Sequence, residues 1–169
     1  MIVEWVNKAK RGDKNAFKDL ITFYQNDLYR IARSRLNSED DIADAIQETI
    51  LKAYQSIHRL SKSESFKSWL LKILINNCND IYKRNKKILE YEIVANELEK
   101  SVNFESNLEF MNLMKVLDTS ERTICILYYQ DGYSTKEIAN IVNMNHNTVR
   151  SKIMRAKQKL EKNLKEGIE

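Results

Sequence analysis

Apolar residues along most of the chain recur at three- and four-residue steps, which places them on one face of an α-helix. The first such run follows Gly12, so a long helix is predicted there with Asp13 as its N-cap. Asn37 breaks the pattern. The predicted buried residues of this helix are Phe17, Leu20, Ile21, Tyr24, Leu28, Ile31, Ala32 and Leu36.

Ser38 marks the predicted start of a second helix, because its hydroxyl can accept a hydrogen bond from the first helical turn. The acids at 39–41 suit the positive end of the helix dipole. The predicted buried positions are Ile42, Ile46, Thr49, Ile50, Ala53 and Ile57. The opposite, polar face then carries Asp44, Gln47, Glu48 and Lys52.

A third helix is predicted after a loop from about His58 to Ser65, with Ser63 or Ser65 as its cap and an end near Lys87. Its apolar stripe is Phe66, Trp69, Leu70, Ile73, Leu74 and Ile81. Polar and charged side chains off this stripe are Lys72, Asn76, Asp80, Lys83 and Arg84.

Residues 88–107 are rich in acids and have no strong helical period, so they are predicted to be a linker. The expected domains are therefore residues 1–87 and 108–169. In the second, a helical pattern resumes at Leu108, Met111, Leu113, Met114 and Leu117. Asp118 and Glu121 can then form a capping box for a helix that buries Ile124, Leu127 and Tyr128 and stops at Gly132.

Residues 134–160 have the local pattern of a helix-turn-helix. Ser134 and Glu137 form a predicted capping box, and Ala139 is small where two helices approach. Asn143 falls where the turn needs a left-handed residue, and Asn145 can cap the next helix. The start of that helix is densely polar, with His146, Asn147, Thr148, Arg150, Ser151, Lys152 and Arg155.

Such a helix start has two explanations. In the first, the segment is a helical hairpin whose polar face only meets solvent, and it would have the same capping residues. In a helix-turn-helix, however, the recognition helix enters the DNA major groove by its N-terminal part, where amides, hydroxyls and Arg suit base edges. The cations beyond this part, through Lys157 and Lys159, would then lie near phosphates.

Composition and charge favour two helical, anion-binding modules. The 169 residues include no Pro and only 3 Gly, which makes helix the default throughout, and 43% are hydrophobic, which excludes a fully disordered chain. The net charge of +4 is unevenly distributed: residues 61–90 hold 7 bases against 3 acids, and residues 122–169 hold 9 against 5. Residues 91–121 hold 7 acids against 2 bases, so two basic modules flank an acidic connector.

Several other classes of protein are disfavoured. No apolar run approaches the roughly 20 residues of a transmembrane helix, and the N-terminus lacks the order of a signal peptide, so a cytoplasmic protein without membrane insertion is expected. Cys78 and Cys125 are expected to be buried thiols, and no metal or other cofactor is expected. His58 and His146 lie in different modules, without paired carboxylates or a phosphate-binding Gly loop, so an enzyme is not expected.

Four segments, in order, resemble a known family. They read KRGDKNAFKDL, DDIADAIQETILKAY, FKSWLLKILINNCNDIYKRNKK and EIANIVNMNHNTVRSKIMRAKQKL. Together they resemble the extracytoplasmic-function sigma factors of bacterial RNA polymerase over nearly the whole chain. The resemblance implies an all-α fold of two small domains joined by a linker, the C-terminal one containing the helix-turn-helix. It also implies a protein that binds core polymerase, directs it to promoters and helps to melt promoter DNA.

The resemblance also implies roles for residues. Asp44, Gln47 and Glu48 would bind core polymerase. The loop from His58 to Phe66, with Lys72, Asn76, Lys83 and Arg84, would contact the proximal, minus-ten element and an unpaired base, whereas Trp69 fits the core better than a stacking role. The recognition helix would read the distal, minus-thirty-five element.

Three further expectations accompany the resemblance. Asn143 and Asn147 stand where the family often has Gly, so the turn and the bases read can differ. An anti-sigma factor, often membrane-anchored in this family, is an expected partner. The main alternative is a stand-alone helix-turn-helix regulator that binds an operator as a dimer, although a simple repressor would not need this N-terminal half.

Overall fold

The structure, a computed structural model, describes residues 1–92 and 113–166. The chain forms two compact units, Met1–Glu97 and Leu98–Glu169. Every regular element within the described residues is helical, which confirms the predicted all-α fold. The predicted apolar positions Leu108 and Met111, and most of the predicted linker, lie outside the described residues.

The first unit contains four α-helices in its described part: α1 (Ile2–Lys10), α2 (Lys14–Arg35), α3 (Glu39–Ser56) and α4 (Phe66–Glu92). The predicted caps form, since the Asp13 carboxylate accepts hydrogen bonds from the backbone of Asn15 and Ala16 at 2.9 and 3.0 Å, and Ser38 caps α3. Helix α1 was not predicted, and α4 extends beyond the predicted end near Lys87.

Helix α4 packs against both α2 and α3, and its buried face is accordingly wider than the predicted single stripe. Leu71, Ile75 and Cys78 are buried in addition to Leu70 and Leu74. Five positions predicted to be buried are instead only half-buried: Ile21, Ile46, Ile50, Trp69 and Ile73. Each lies at the border of its helix's buried face, where hydrophobic spacing alone does not fix the depth of burial.

The second unit contains α5 (Thr119–Cys125), a π-helical turn (Ile126–Gln130), α6 (Thr135–Val142) and α7 (His146–Glu166). Both predicted capping boxes form, at Asp118 with Glu121 and at Ser134 with Glu137. The core of this unit includes Ile124, Leu127, Ile138, Ile141 and Val149.

The π-helical turn changes which residues of the α5 segment face the core. The backbone N–H of Asp131 donates to the carbonyl of Ile126, a five-residue step that widens the turn. Ile126 is buried in consequence, whereas Tyr128, predicted to be buried, is 38% exposed. Gly132 then ends the segment with a positive φ of 72°, as predicted.

Candidate nucleic-acid interface

The turn between α6 and α7 has the geometry of a helix-turn-helix. Asn143 adopts the predicted left-handed conformation, with φ 53° and ψ 50°. The carbonyl of Ala139 accepts the backbone N–H groups of Asn143 and Met144, which closes α6. Asn145 then caps α7, because its side-chain oxygen accepts the N–H of Asn147 at 2.8 Å.

The start of α7 presents an exposed polar surface, here called the reading surface: Asn147, Thr148, Arg150, Ser151 and Arg155. The hydroxyl of Ser151 donates to the carbonyl of Asn147 at 3.0 Å, and the guanidinium of Arg155 donates to that of Ser151 at 3.4 Å. These contacts lie along the helix itself, and the amide, hydroxyl and guanidinium side chains are exposed. Such groups can donate to and accept from base edges.

Two of the predicted DNA contacts, His146 and Lys152, are half-buried and have partners within the unit. His146 Nε2 lies 2.7 Å from the hydroxyl of Thr135 on α6. The side chain of Lys152 is only 19% exposed, and its ammonium lies 3.5 Å from the carboxylate of Asp118. The helical period could not reveal these contacts, since it does not specify which element covers each border of α7.

Glu121 connects the start of α5 to α7. This residue is 2% exposed, and Lys159 donates to both of its carboxylate oxygens at 2.9 and 2.7 Å. Burial raises the pKa of the neighbouring Asp118 carboxyl, but the N–H of Glu121 and the ammonium groups of Lys152 and Lys159 outweigh it. The pKa of Asp118 therefore lies below its ordinary value.

The residues predicted to bind polymerase lie together on the exposed side of α3. Asp44, Gln47 and Glu48 line one wall of a groove whose other wall comes from α4. Leu51, an apolar side chain that is 51% exposed, lies in the same groove. This surface combines acids, an amide and an exposed apolar side chain.

The predicted proximal-element residues divide between two sides of α4. Lys72, Asn76 and Lys83 are separated by four and seven residues, so they follow one stripe of the helix. Asn76 and Lys83 are exposed and Lys72 is half-buried. Arg84 is also exposed, but it lines the groove that contains Asp44 and Glu48.

A second groove lies beside this stripe. Its walls include Trp69, Asn76 and Arg59. Trp69 packs against Phe66, with 5.8 Å between ring centroids, and also lines the groove. Its ring therefore both packs against the core and lines the groove, whereas the sequence favoured the core over a stacking role.

A polar contact of Asn77 lies at the border that the two grooves share. Asn77 is 3% exposed, donates to the hydroxyl of Thr49 at 2.9 Å and accepts from the ammonium of Lys52 at 2.6 Å. Lys52 also lies 3.4 Å from Glu48. Sequence reasoning missed Asn77, although its spacing from Leu74 and Ile81 places it on the apolar stripe.

The described residues were also searched for reactive thiols, metal sites and membrane-spanning helices. Cys78 and Cys125 are free and buried, as predicted, and burial raises the pKa of their thiols to about 12 and about 11. Within residues 1–92 and 113–166 there is no cluster of potential metal ligands. No helix in this part of the chain is long and apolar enough to span a membrane.

Comparisons with known proteins cover both units. The family model described as sigma-70 region 2 matches residues 20–88, and the model described as sigma-70, region 4 matches residues 107–160. The RNA polymerase sigma factor SigV of Bacillus subtilis is 33% identical over 88% of this chain and 91% of its own length. The ECF RNA polymerase sigma-E factor of Haemophilus influenzae is 30% identical, with 92% and 91% covered.

Solved structures agree with this similarity. CnrH, solved in complex with the cytosolic domain of CnrY, is 27% identical, covers 97% of both chains and has a TM-score of 0.69. The sigma factor RpoE of Bartonella quintana, solved with the anti-sigma factor NepR, has a TM-score of 0.75 over 88% of this chain and 96% of its own. At 22% identity, the second likeness supports the fold alone.

Proposed function

The chain belongs to the extracytoplasmic-function sigma factors and directs RNA polymerase to promoters, and we propose how its two units divide this function. Residues 1–87 bind core polymerase and the proximal, minus-ten element. Residues 108–169 bind the distal, minus-thirty-five element, and residues 88–107 connect the two. The observation that carries this proposal is the reading surface, which a left-handed turn and an Asn cap hold at the start of α7.

In the second unit, Asn147, Thr148, Arg150 and Ser151 read the distal element. Their side chains are exposed at the end of α7 that enters the major groove in a helix-turn-helix. Arg150 is the strongest candidate, because a guanidinium can form two hydrogen bonds with one guanine. Arg155, one turn beyond Ser151, lies where a phosphate contact is expected.

In the first unit, two different surfaces serve polymerase and DNA. Asp44, Gln47 and Glu48 bind core polymerase through the groove between α3 and α4. Lys72, Asn76 and Lys83 follow the melted proximal element, since single strands are held by cations with nearby aromatic or polar pockets. The groove beside Trp69 offers such a pocket for an unpaired base.

Transcription by reconstituted holoenzyme tests the DNA-reading part of this proposal. Arg150→Ala is expected to lower promoter-specific transcription by about 10-fold, because one good base contact contributes about 1–3 kcal/mol. Capture of core polymerase by the variant should stay at the wild-type level. Lys162→Ala is the matched control, since Lys162 is an exposed cation near the other end of α7. Equal transcription by Arg150→Ala and wild type would remove Arg150 from the reading surface.

A pull-down with core polymerase tests the first unit. The double variant Asp44→Ala and Gln47→Ala is expected to reduce capture, because it removes two polar groups from the proposed interface. Asp19→Ala changes an exposed acid on α2 and serves as the control. Undiminished capture by the double variant would mean that polymerase binds elsewhere.

A gel-shift assay distinguishes the proposed sigma factor from a stand-alone regulator. A sigma factor is expected to bind its promoter tightly only with core polymerase present. Tight, sequence-specific duplex binding by the isolated protein would favour the regulator.

The proposal also covers a protein partner, the cellular location and the absence of catalytic activity. Because the similar protein CnrH was solved with the cytosolic domain of CnrY, we propose that an anti-sigma factor binds this chain as well. The proposed location is the cytoplasm, where core polymerase is found. The protein is proposed to have no catalytic activity of its own, and nucleotide turnover by the purified chain would contradict this.

A further inference from the structure

We propose that Lys152 and Lys159 position the recognition helix α7 against α5 and do not bind DNA phosphates. This inference rests on the proposed function, in which α7 reads the distal element. It reassigns two cations that belong to the basic run of α7 and that sequence reasoning placed near DNA. Their partners are Asp118 and Glu121, the two residues of the α5 capping box.

The two lysines occupy equivalent places on α7. They are seven residues apart, which corresponds to two helical turns on one side of the helix. Val149 and Ala156, three residues before each lysine, are both 0% exposed. Lys152 and Lys159 therefore flank the buried face of α7, where their stems can reach α5.

Each carboxylate of the α5 capping box also accepts a backbone hydrogen bond within the box. One oxygen of Asp118 accepts the backbone N–H of Glu121 at 2.7 Å, and one oxygen of Glu121 accepts the backbone N–H of Asp118 at 3.0 Å. Each carboxylate retains capacity for an ammonium group. Lys152 lies 3.5 Å from Asp118, and Lys159 lies 2.7 Å from Glu121.

The contact between Lys159 and Glu121 involves a buried carboxylate. Its side chain is 3% exposed, and a carboxylate so far from water needs a hydrogen-bonded countercharge. Lys159 supplies that charge with contacts to both oxygens. If this ammonium group bound a DNA phosphate instead, the buried Glu121 carboxylate would lose its countercharge.

Two contacts separated by two turns restrict the rotation of α7 about its own axis. That rotation decides the direction in which Arg150 and Ser151 face. The α5 capping box thereby sets the geometry of the reading surface without touching DNA. Glu121 and Asp118 are positioning residues in this view.

The salt dependence of promoter binding distinguishes positioning from phosphate contact. A lysine that binds a phosphate releases a counterion, and its loss lowers the slope of log K against log[salt] by about 1. A lysine already paired with a protein carboxylate makes no such contribution. The slope therefore reports the partner of the ammonium, whatever happens to the affinity.

The experiment measures binding of reconstituted holoenzyme to a promoter that it transcribes, at several salt concentrations. Lys159→Gln is expected to weaken binding by about 10-fold while the salt slope stays at the wild-type value. Lys159→Arg keeps a positive charge beside Glu121 and should bind more tightly than Lys159→Gln. Lys162→Gln, an exposed change on the same helix, is the control.

A double variant supplies the second readout. Glu121→Gln combined with Lys159→Gln removes both charges and allows an amide–amide hydrogen bond, so it should recover most of the lost binding. Phosphate contact predicts no recovery. If Lys159→Gln is unfolded by circular dichroism, Lys152→Gln carries the slope test, because its partner Asp118 is 52% exposed and tolerates the loss.

Different results would contradict the role of the lysines and the proposed function. A slope lowered by about 1 in Lys159→Gln, or in Lys152→Gln where that variant is used, would overturn the inference and assign the lysine to DNA. Failure of the double variant to recover binding would overturn it as well. Wild-type holoenzyme that binds equally with and without the distal element would overturn the proposed function itself, together with the inference.

Discussion

Replacing Asn77 by Ala removes the polar contact buried between α3 and α4. The amide donates to Thr49 at 2.9 Å and accepts from Lys52 at 2.6 Å, and the residue is 3% exposed. Asn76, the next residue, is exposed and has no part in this contact. Asn77→Ala and Asn76→Ala therefore form a matched pair on one helix, one buried and one exposed.

The expected loss follows from the two hydrogen bonds. Thr49 keeps a partner, since its hydroxyl donates to the carbonyl of Ala45 at 2.6 Å, so this bond is expected to contribute about 1 kcal/mol. Lys52 is 46% exposed and can return to water, which limits the second bond to about 1 kcal/mol. Asn77→Ala should thus lower the free energy of unfolding by about 2 kcal/mol, or lower Tm by about 8–16 °C.

Tryptophan fluorescence measures this change in the first unit alone. The chain has 2 Trp, and both Trp5 and Trp69 lie in the unit Met1–Glu97. Urea titration should show a lower midpoint for Asn77→Ala, whereas Asn76→Ala should stay within about 0.5 kcal/mol of wild type. Equal stability of the two variants, or a greater loss for Asn76→Ala, would refute the structural role given to Asn77.

Three further predictions concern stability and reactivity. Asn143 has a φ of 53°, which is strained for residues with a Cβ. Asn143→Gly should therefore raise the free energy of unfolding of the second unit by about 1 kcal/mol, and Asn143→Ala should lower it. Circular dichroism measures both changes. The lowered pKa of Asp118 contributes stability above about pH 4 that is lost as pH falls through the folded-state pKa. Asp118→Asn should therefore show a smaller acid-induced drop in Tm than wild type, and an equal drop would contradict this assignment. Cys78 and Cys125 should react with a thiol reagent near pH 8 only as urea unfolds the chain, because burial raises the pKa of both thiols; rapid labelling of native protein would contradict their burial.

The sequence by itself determined where most helices begin and how the helix-turn-helix is built. Asp13, Ser38, Asp118 and Ser134 all cap helices as predicted, and Asn143 adopts the predicted left-handed turn. These features depend on hydrogen bonds between residues two to four positions apart, and such residues are visible together in the sequence. Hydrophobic spacing likewise identified most core positions, because a helix presents them on one face.

Only the tertiary structure decided which polar residues face another helix. Asn77 meets Thr49, and Lys159 meets Glu121, across 28 and 38 residues of sequence. Lys152, predicted to contact DNA, also pairs with Asp118, a partner that the sequence did not reveal. Helical spacing gives the direction of each side chain around its own helix axis, but the partner at that border is set by helix packing. The sequence could therefore outline the reading surface, whereas the contacts that orient α7 depend on how it packs against α5 and α6.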